Sequence, residues 1–405
     1  MKTWFLLGDM CANCALLRTR LRELDLSHNK LESVHNIEWL PSLTNLDLSV
    51  NQLSRLESPT ALVSLRTLKL SENRLDALDM QSFSSVHLLY LDQNHLSTVT
   101  GLEFCRNLDV FSIREQTPAV KQGAEILLNI DLGLVKDIRK VFFSSNKLSE
   151  ACIRPSSPLL QLQLLDVAAC ALKKLPADFS ASFPNLKVLN LNFNSLDELE
   201  PLVGMNCLSR LAVAGNRLSR MRRVCQILSR LGRTNKKSLC SLRKLDLRGN
   251  PLTVGFYPPA VTGNGSKADR KPLTDLANAV VPGLESQRDL SDALTDLDSK
   301  DQAANIVTWD QASDTDKDKD VNDPFTLPVA DPEADGKYLL HLDRATRMRR
   351  KVLELLLYAG TSGSLCTLDG LELRTSLEDN ADMGQAWVRL EELGVLRRKA
   401  ITSKN

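Results

Sequence analysis

Apolar residues recur along most of the chain in a nine-position frame, apolar-x-x-apolar-x-apolar-x-x-Asn, which returns at first every twenty-one or twenty-two residues. Leu21, Leu24, Leu26 and Asn29 open the series, and Leu43, Leu46, Leu48 and Asn51 repeat it. It continues with Leu65 to Asn73, Val86 to Asn94, Leu108 to Gln116, Ile138 to Asn146, Leu162 to Cys170, Leu186 to Asn194, Leu208 to Asn216 and Leu242 to Asn250. Gln116 and Cys170 stand where the other copies carry asparagine. A fixed period of this length marks stacked units, none of which buries its apolar edge alone.

The alternation at the centre of each frame predicts a short strand with one buried and one open face. The asparagine is placed to satisfy backbone groups where the chain turns inward. Beyond it, Leu31, Val34, Ile37, Leu40 and Leu43 in the first copy, and Leu196, Leu199, Leu202, Met205 and Leu208 in the eighth, recur every three residues, which suits a compact helical or 3₁₀ return. The expected fold is an α/β leucine-rich-repeat solenoid, a horseshoe with a parallel concave sheet.

Two intervals are long. Between Gln116 and Asn146 the residues Ala124, Ile126, Leu127, Leu128, Ile130 and Leu132 predict a longer return helix. Between Asn216 and Asn250 the stretch 217 to 237 carries eight bases and no acid around Leu218, Met221, Val224, Cys225, Leu228 and Leu231, a basic amphipathic helix. After the tenth copy the composition turns to Gly, Pro, Ser and Asp, and from Glu285 to Asp335 fifteen acids face four bases. Such a segment cannot bury enough apolar surface to order itself. The expected organisation is a lead-in over 1–20, repeats over 21–254, a disordered acidic insertion over 255–337 and a helical cap with a closing repeat over 338–405. Within the cap, Ala345, Met348, Val352, Leu355, Leu356 and Ala359 predict a helix whose outer face carries Arg344, Arg347, Arg349, Arg350 and Lys351. Leu365, Leu368 and Leu371 predict a last coil, and Trp387, Leu390, Leu393 and Leu396 a further helix.

The return pattern resembles the 22-residue class of intracellular leucine-rich repeats typified by a phosphatase regulatory subunit. More specific are Leu245-Asp-Leu-Arg-Gly-Asn-Pro-Leu-Thr-Val-Gly-Phe-Tyr-Pro258, Arg347-Met-Arg-Arg350 and Leu368-Asp-Gly-Leu371. Together they resemble the carboxy-terminal repeat domain of the fungal spindle-pole-body scaffold of the septation initiation and mitotic exit networks, a relative of centriolin. That resemblance implies a cytoplasmic, non-enzymatic scaffold at the spindle pole, whose partners are a spindle-pole anchor, signalling kinases or small-GTPase regulators. The broader resemblance implies the alternative of a protein phosphatase's regulatory subunit. Members of the scaffold family carry a long region before their repeats, whereas about twenty residues precede the first copy in this sequence.

Composition narrows the functions further. Fifty-one basic residues against fifty acidic ones give a net charge of +1, which argues globally for neither nucleic acid nor an anionic membrane. No apolar run reaches the length of a membrane span. Lys2 and Trp4 to Leu7 open like a signal peptide, but Asp9 breaks the apolar region. Most of the nine cysteines sit singly in apolar repeat positions, as packing residues of a reduced protein do. Phosphate-binding, nucleophile-elbow and zinc-protease motifs are missing, so no catalytic, cofactor or metal residue is expected. Asp25, Asp47 and Asp246 share one strand position, which is read as a solvated face.

Function is therefore expected on the surface. At the third, fifth and eighth positions of the frame, which point to solvent, the central copies are unusually apolar. Leu88, Tyr90, Val110, Phe142, Leu164, Val188 and Phe193 are expected to form an exposed partner-binding patch on the concave face. A basic rim of Arg220, Arg222, Arg223, Arg230 and Arg233 is expected beside it.

Overall fold

The computed structural model describes residues 19–35, 37–57, 62–118, 126–231, 240–258, 327, 330–373, 388 and 390. The chain forms two compact units, Met1–Leu191 with Glu200–Leu208, and Asn192–Leu199 with Ser209–Asn405.

Among its described residues unit one holds eight three-residue strands: β1 (Glu23–Asp25), β2 (Asn45–Asp47), β3 (Thr67–Lys69), β4 (Leu88–Tyr90), β5 (Val110–Ser112), β6 (Lys140–Phe142), β7 (Leu164–Asp166) and β8 (Val188–Asn190). Each pairs in parallel with its neighbour in sequence. The register aligns the central apolar residues, from Leu24 opposite Leu46 to Leu165 opposite Leu189. From Leu46 onward these side chains are buried, whereas Leu24 in the first coil is half-exposed. The returns are 3₁₀ turns at Ile37–Trp39, Gln81–Phe83, Leu102–Phe104, Leu132–Leu134 and Glu200–Leu202, and short helices α1 (Glu150–Ile153) and α2 (Phe179–Ser182).

The asparagines form a ladder between coils. Asn51 accepts from the Leu31 amide at 3.0 Å and donates to the carbonyls of Leu26, Leu48 and Ser49 at 2.9, 3.0 and 3.2 Å. Asn73 and Asn94 repeat the pattern. Gln116 reproduces it with a longer arm, accepting from Leu96 N–H and donating to the Leu91 carbonyl. Cys170 offers a thiol to the Phe143 and Ala168 carbonyls. The residue before this side chain has positive φ in every coil, including the bulky Val50 at 56° and Glu72 at 56°. Only an over-determined turn holds a β-branched residue there.

The expected return helix before Asn146 does not form in the described residues. Leu128 bridges Leu148, buried Leu128 and Ile130 alternate with exposed Leu127 and Asn129 as in extended chain, and Leu132 opens only the single 3₁₀ turn. Residues 119–125, with Ala124, lie outside the described residues.

Unit two contains parallel β9 (Arg210–Ala212), β10 (Lys244–Asp246) and β11 (Thr367–Leu368), with β12 (Leu371–Glu372) turning back antiparallel to β11. Asn216 and Asn250 continue the asparagine pattern, with Asn250 bonded to the Val213 and Leu247 carbonyls at 2.8 and 2.9 Å. Among the described residues the unit also holds the helices α3 (Met221–Leu228), α4 (Pro332–His341) and α5 (Arg344–Gly360). Helix α4 begins within the segment expected to be disordered, because Asp331 caps it and Pro332 fits its first turn. The rest of the acidic insertion, like most of the terminal helix around Trp387, lies outside the described residues. The closing coil is a hairpin rather than a full repeat, because Asp369 and Gly370 both take positive φ, 56° and 83°, as the central pair of a type I′ turn.

Candidate protein-binding surfaces

On unit one the register sorts the expected patch into two rows. Leu88, Val110, Lys140, Leu164 and Val188 follow one another across β4 to β8, and Tyr90, Ser112, Phe142, Asp166 and Asn190 form the second row. Four side chains that sequence reasoning left out thus interrupt the apolar residues, Lys140 in the first row and Ser112, Asp166 and Asn190 in the second.

The patch is also less open than expected. Val110, Phe142 and Leu164 are 5, 7 and 7% exposed, while Leu88, Tyr90 and Val188 are half-buried. At Phe142 the burial has a specific cause. Arg114, on the turn after β5, lies with its guanidinium 4.6 Å from the Phe142 ring centre and reaches over to Asp166 at 3.3 Å. It thereby bridges the fifth and seventh coils across the sixth. Ser144 Oγ also donates to Asp166, and Asp92 accepts from Ser112 Oγ at 2.6 Å and from the Arg114 amide at 2.7 Å. The concave centre is a strip of apolar edges seamed by an ion pair. The signal for Asp166 was available, since it occupies the strand position of Asp25 and Asp47; that of Arg114 was not, because its partner is fifty-two residues away.

Large exposed apolar side chains of unit one lie on the returns instead. Trp39, Phe104, Leu134 and Leu160 are 40, 48, 47 and 58% exposed. At the polar end of the sheet Lys69 pairs with Asp47 at 3.1 Å, and the Ser27 hydroxyl and amide hold the Asp25 carboxyl below its ordinary range. Glu115 goes the other way, raised by burial, with Asp92 and Glu72 adding to the effect. Among the described residues no His, Cys, Asp and Glu side chains gather in a metal-binding group.

Phe193 belongs to unit two. Its φ is 55°, and its ring packs on Gly215, where an added Cβ would meet Phe193 Cδ1 at 2.7 Å. The basic rim belongs to the same unit. Helix α3 buries Val224, Cys225, Ile227 and Leu228 and exposes Arg222 and Arg223, with Arg220 and Arg230 exposed at its ends. Arg233 lies outside the described residues.

The basic face expected on α5 is partly internal. Arg350 and Lys351 are buried, because Arg350 forms a two-pronged bond with Asp335 at 2.8 and 2.7 Å, meets Glu354 at 3.1 Å and donates to the Phe256 carbonyl at 2.9 Å. Lys351 pairs with the other Glu354 oxygen at 2.9 Å. Arg350 also stacks 4.5 Å from the Tyr257 ring centre, and Arg349 5.4 Å from that of Phe256. Burial carries the Tyr257 hydroxyl well above its ordinary range. Asp369, fully buried, is pushed up to about 7 by desolvation and by nearby Asp246, partly offset by Tyr257 and the Leu247 amide. The runs 245–258, 347–350 and 368–371, far apart in sequence, meet in this one cluster.

Strands at a fixed repeat, buried asparagine turns and short returns make the chain a leucine-rich-repeat solenoid, and the family described as leucine rich repeat matches residues 161–218 and 20–41. The resemblance to a septation scaffold holds at the level of sequence. The chain is 40% identical over 239 residues to the septation initiation network scaffold protein cdc11 of Schizosaccharomyces pombe, covering 59% of this chain and 21% of that protein. It thus spans about a fifth of the relative's length. Among solved structures it is similar to human 5T4, trophoblast glycoprotein, at 21% identity over 61% of this chain and 83% of that one, with a TM-score of 0.38. It is also similar to a chain of the LRIM1/APL1C complex, at 19% identity over 56% of this chain and 44% of that one, with a TM-score of 0.43. No described helix is long and apolar enough to cross a membrane.

Proposed function

We infer that the chain is a non-enzymatic scaffold of septation signalling, held at the spindle pole body in the cytoplasm, and that it binds proteins through the concave strip of unit one. The observation that carries this reading is the strip itself. Leu88, Tyr90 and Val188 keep part of their apolar surface open on strands that the asparagine ladder fixes in place. A pre-organised surface loses little freedom on binding, so modest apolar contacts yield affinity. The relative's description as a septation initiation network scaffold protein supports the same reading. A spindle-pole anchor, a signalling kinase or a small-GTPase regulator fits it.

The test is a pull-down of the tagged whole chain from dividing cells, alongside its position by microscopy. Spindle-pole and septation proteins are expected in the wild-type capture. They are expected to fall away in a Tyr90→Ala, Val188→Ala variant that keeps its melting temperature. Phe142→Ala is unsuitable, since that ring is buried beneath Arg114. Capture of a phosphatase catalytic subunit in place of septation proteins would overturn this reading in favour of a regulatory subunit.

A further inference from the structure

Unit two sorts its charges. Asp246, Asp335, Glu354 and Asp369 are drawn in against Arg248, Arg350 and Lys351, with Asp246 to Arg248 at 2.6 Å and Asp335 to Arg350 at 2.7 Å. Helix α3 is built without acids of its own. From Arg217 to Leu231 the chain carries five arginines and no aspartate or glutamate. Arg217, Arg220, Arg222, Arg223 and Arg230 are all exposed.

The arrangement does not serve the stability of α3. Arg220 is its N-cap residue, makes no capping bond, and is followed by Arg222 and Arg223 in the first turn. Cations at that end oppose the helix dipole, and arginines three apart repel one another. The helix is held instead by its apolar face. Gly360 of α5 lies against Ser229, while the Leu252 amide donates to Leu218 and the Leu252 carbonyl accepts from Arg349, so α3 and α5 run side by side. The arginines are therefore mounted on a fixed ridge, and the energetic cost of bringing like charges together has already been met by packing.

We propose that this arginine ridge of α3 docks a phosphorylated, acidic segment of a partner protein. Guanidinium groups present planar forks that match phosphate oxygens two at a time, which ammonium groups do not. Every base on the described part of the ridge is arginine. A phosphoserine brings nearly two negative charges to one point, enough to face two or three neighbouring arginines. Among the described residues the ridge is one short helix in a chain of net charge +1, which offers nucleic acid no extended track of positive charge. This surface lies in unit two and the concave strip in unit one, so each stands or falls separately.

The experiment uses the full chain and a fluorescent peptide of alternating phosphoserine and aspartate, read by anisotropy. Binding is expected, weaker in high salt because exposed charges are screened. It is expected to fall at least about tenfold in Arg217→Glu, Arg220→Glu, Arg222→Glu and several-fold in the triple glutamine variant, since reversed charges repel the partner. Circular dichroism checks that both variants fold, and the glutamine set stands if the glutamate set does not. Tyr90→Ala, Val188→Ala should bind the peptide normally, and the arginine variants should still capture the concave-face partner. No binding, unchanged binding in folded variants, or equal affinity for the unphosphorylated peptide overturns the proposal. Single-stranded DNA or phosphatidylserine vesicles binding as tightly, with the same variant sensitivity, also overturns it.

Discussion

Asp369 accepts the Leu247 amide hydrogen through its side chain, Oδ1, where the corresponding amide of other coils bonds a strand carbonyl of the next coil. Leu26 bonds Asp47 O, Leu48 bonds Lys69 O, Phe143 bonds Asp166 O and Val213 bonds Asp246 O. The type I′ turn at Asp369 and Gly370 swings the backbone away, and the carboxyl substitutes for the missing carbonyl. The ladder ends without an orphaned donor.

Asp369→Ala should therefore destabilise unit two by about 1–3 kcal/mol, the cost of an unsatisfied buried amide. Asp369→Asn keeps the acceptor and loses the charge. Because the folded-state pKa is raised, from 3.8 to about 7, the stabilising contribution of the protonated form is complete below the unfolded value and is lost as pH rises through about 7. Melting curves should show the wild type gaining stability from pH 8 to pH 6 and Asp369→Asn changing less. Equal pH slopes would contradict this.

The asparagine ladder makes a graded prediction. Asn51→Ala leaves the buried Leu31 amide without its partner, while the Leu26 and Leu48 carbonyls keep Asn29 and Asn73, and should cost about 1–3 kcal/mol. Asn29, exposed in the first coil and bonded among the described residues to the Leu26 and Ser27 carbonyls, should tolerate alanine with a far smaller shift in denaturation midpoint. Leu48→Asp should prevent folding by placing an unpaired carboxyl where the leucine is 0% exposed.

Gly215 and Phe193 should couple. Gly215→Ala meets both a φ of 65° and the Phe193 ring, and should destabilise by about 1–3 kcal/mol. Adding Phe193→Ala should recover part of that loss. A double-mutant cycle with no interaction energy would show that the ring is not the obstacle.

Arg350→Met should destabilise unit two by about 3–5 kcal/mol, since Asp335 and Glu354 are left buried with their main partner gone. Asp335→Asn with Arg350→Met should be milder than the two single effects summed. Chemical denaturation of the four proteins measures the coupling.

The sequence by itself determined the repeat, the strand register, the turn asparagines and the apolar core. Each rests on contacts between positions at one fixed spacing, so periodicity suffices to find them: Leu46 and Leu68 pair because their frames match. It also exposed the basic face of α3, because a helix sorts its faces within a few residues. Tertiary structure alone decided which polar groups cross from one frame to another. Arg114 covers Phe142 only because Asp166, two coils on, draws its guanidinium across, and this closes much of the expected patch. Arg350 turns inward only because Asp335, Glu354 and the 256–257 aromatics surround it. Asp369 can end the sheet only because Leu247, 122 residues earlier, lies beside it. Pairings of that kind have no period, and a linear pattern carries no trace of them until the chain is folded.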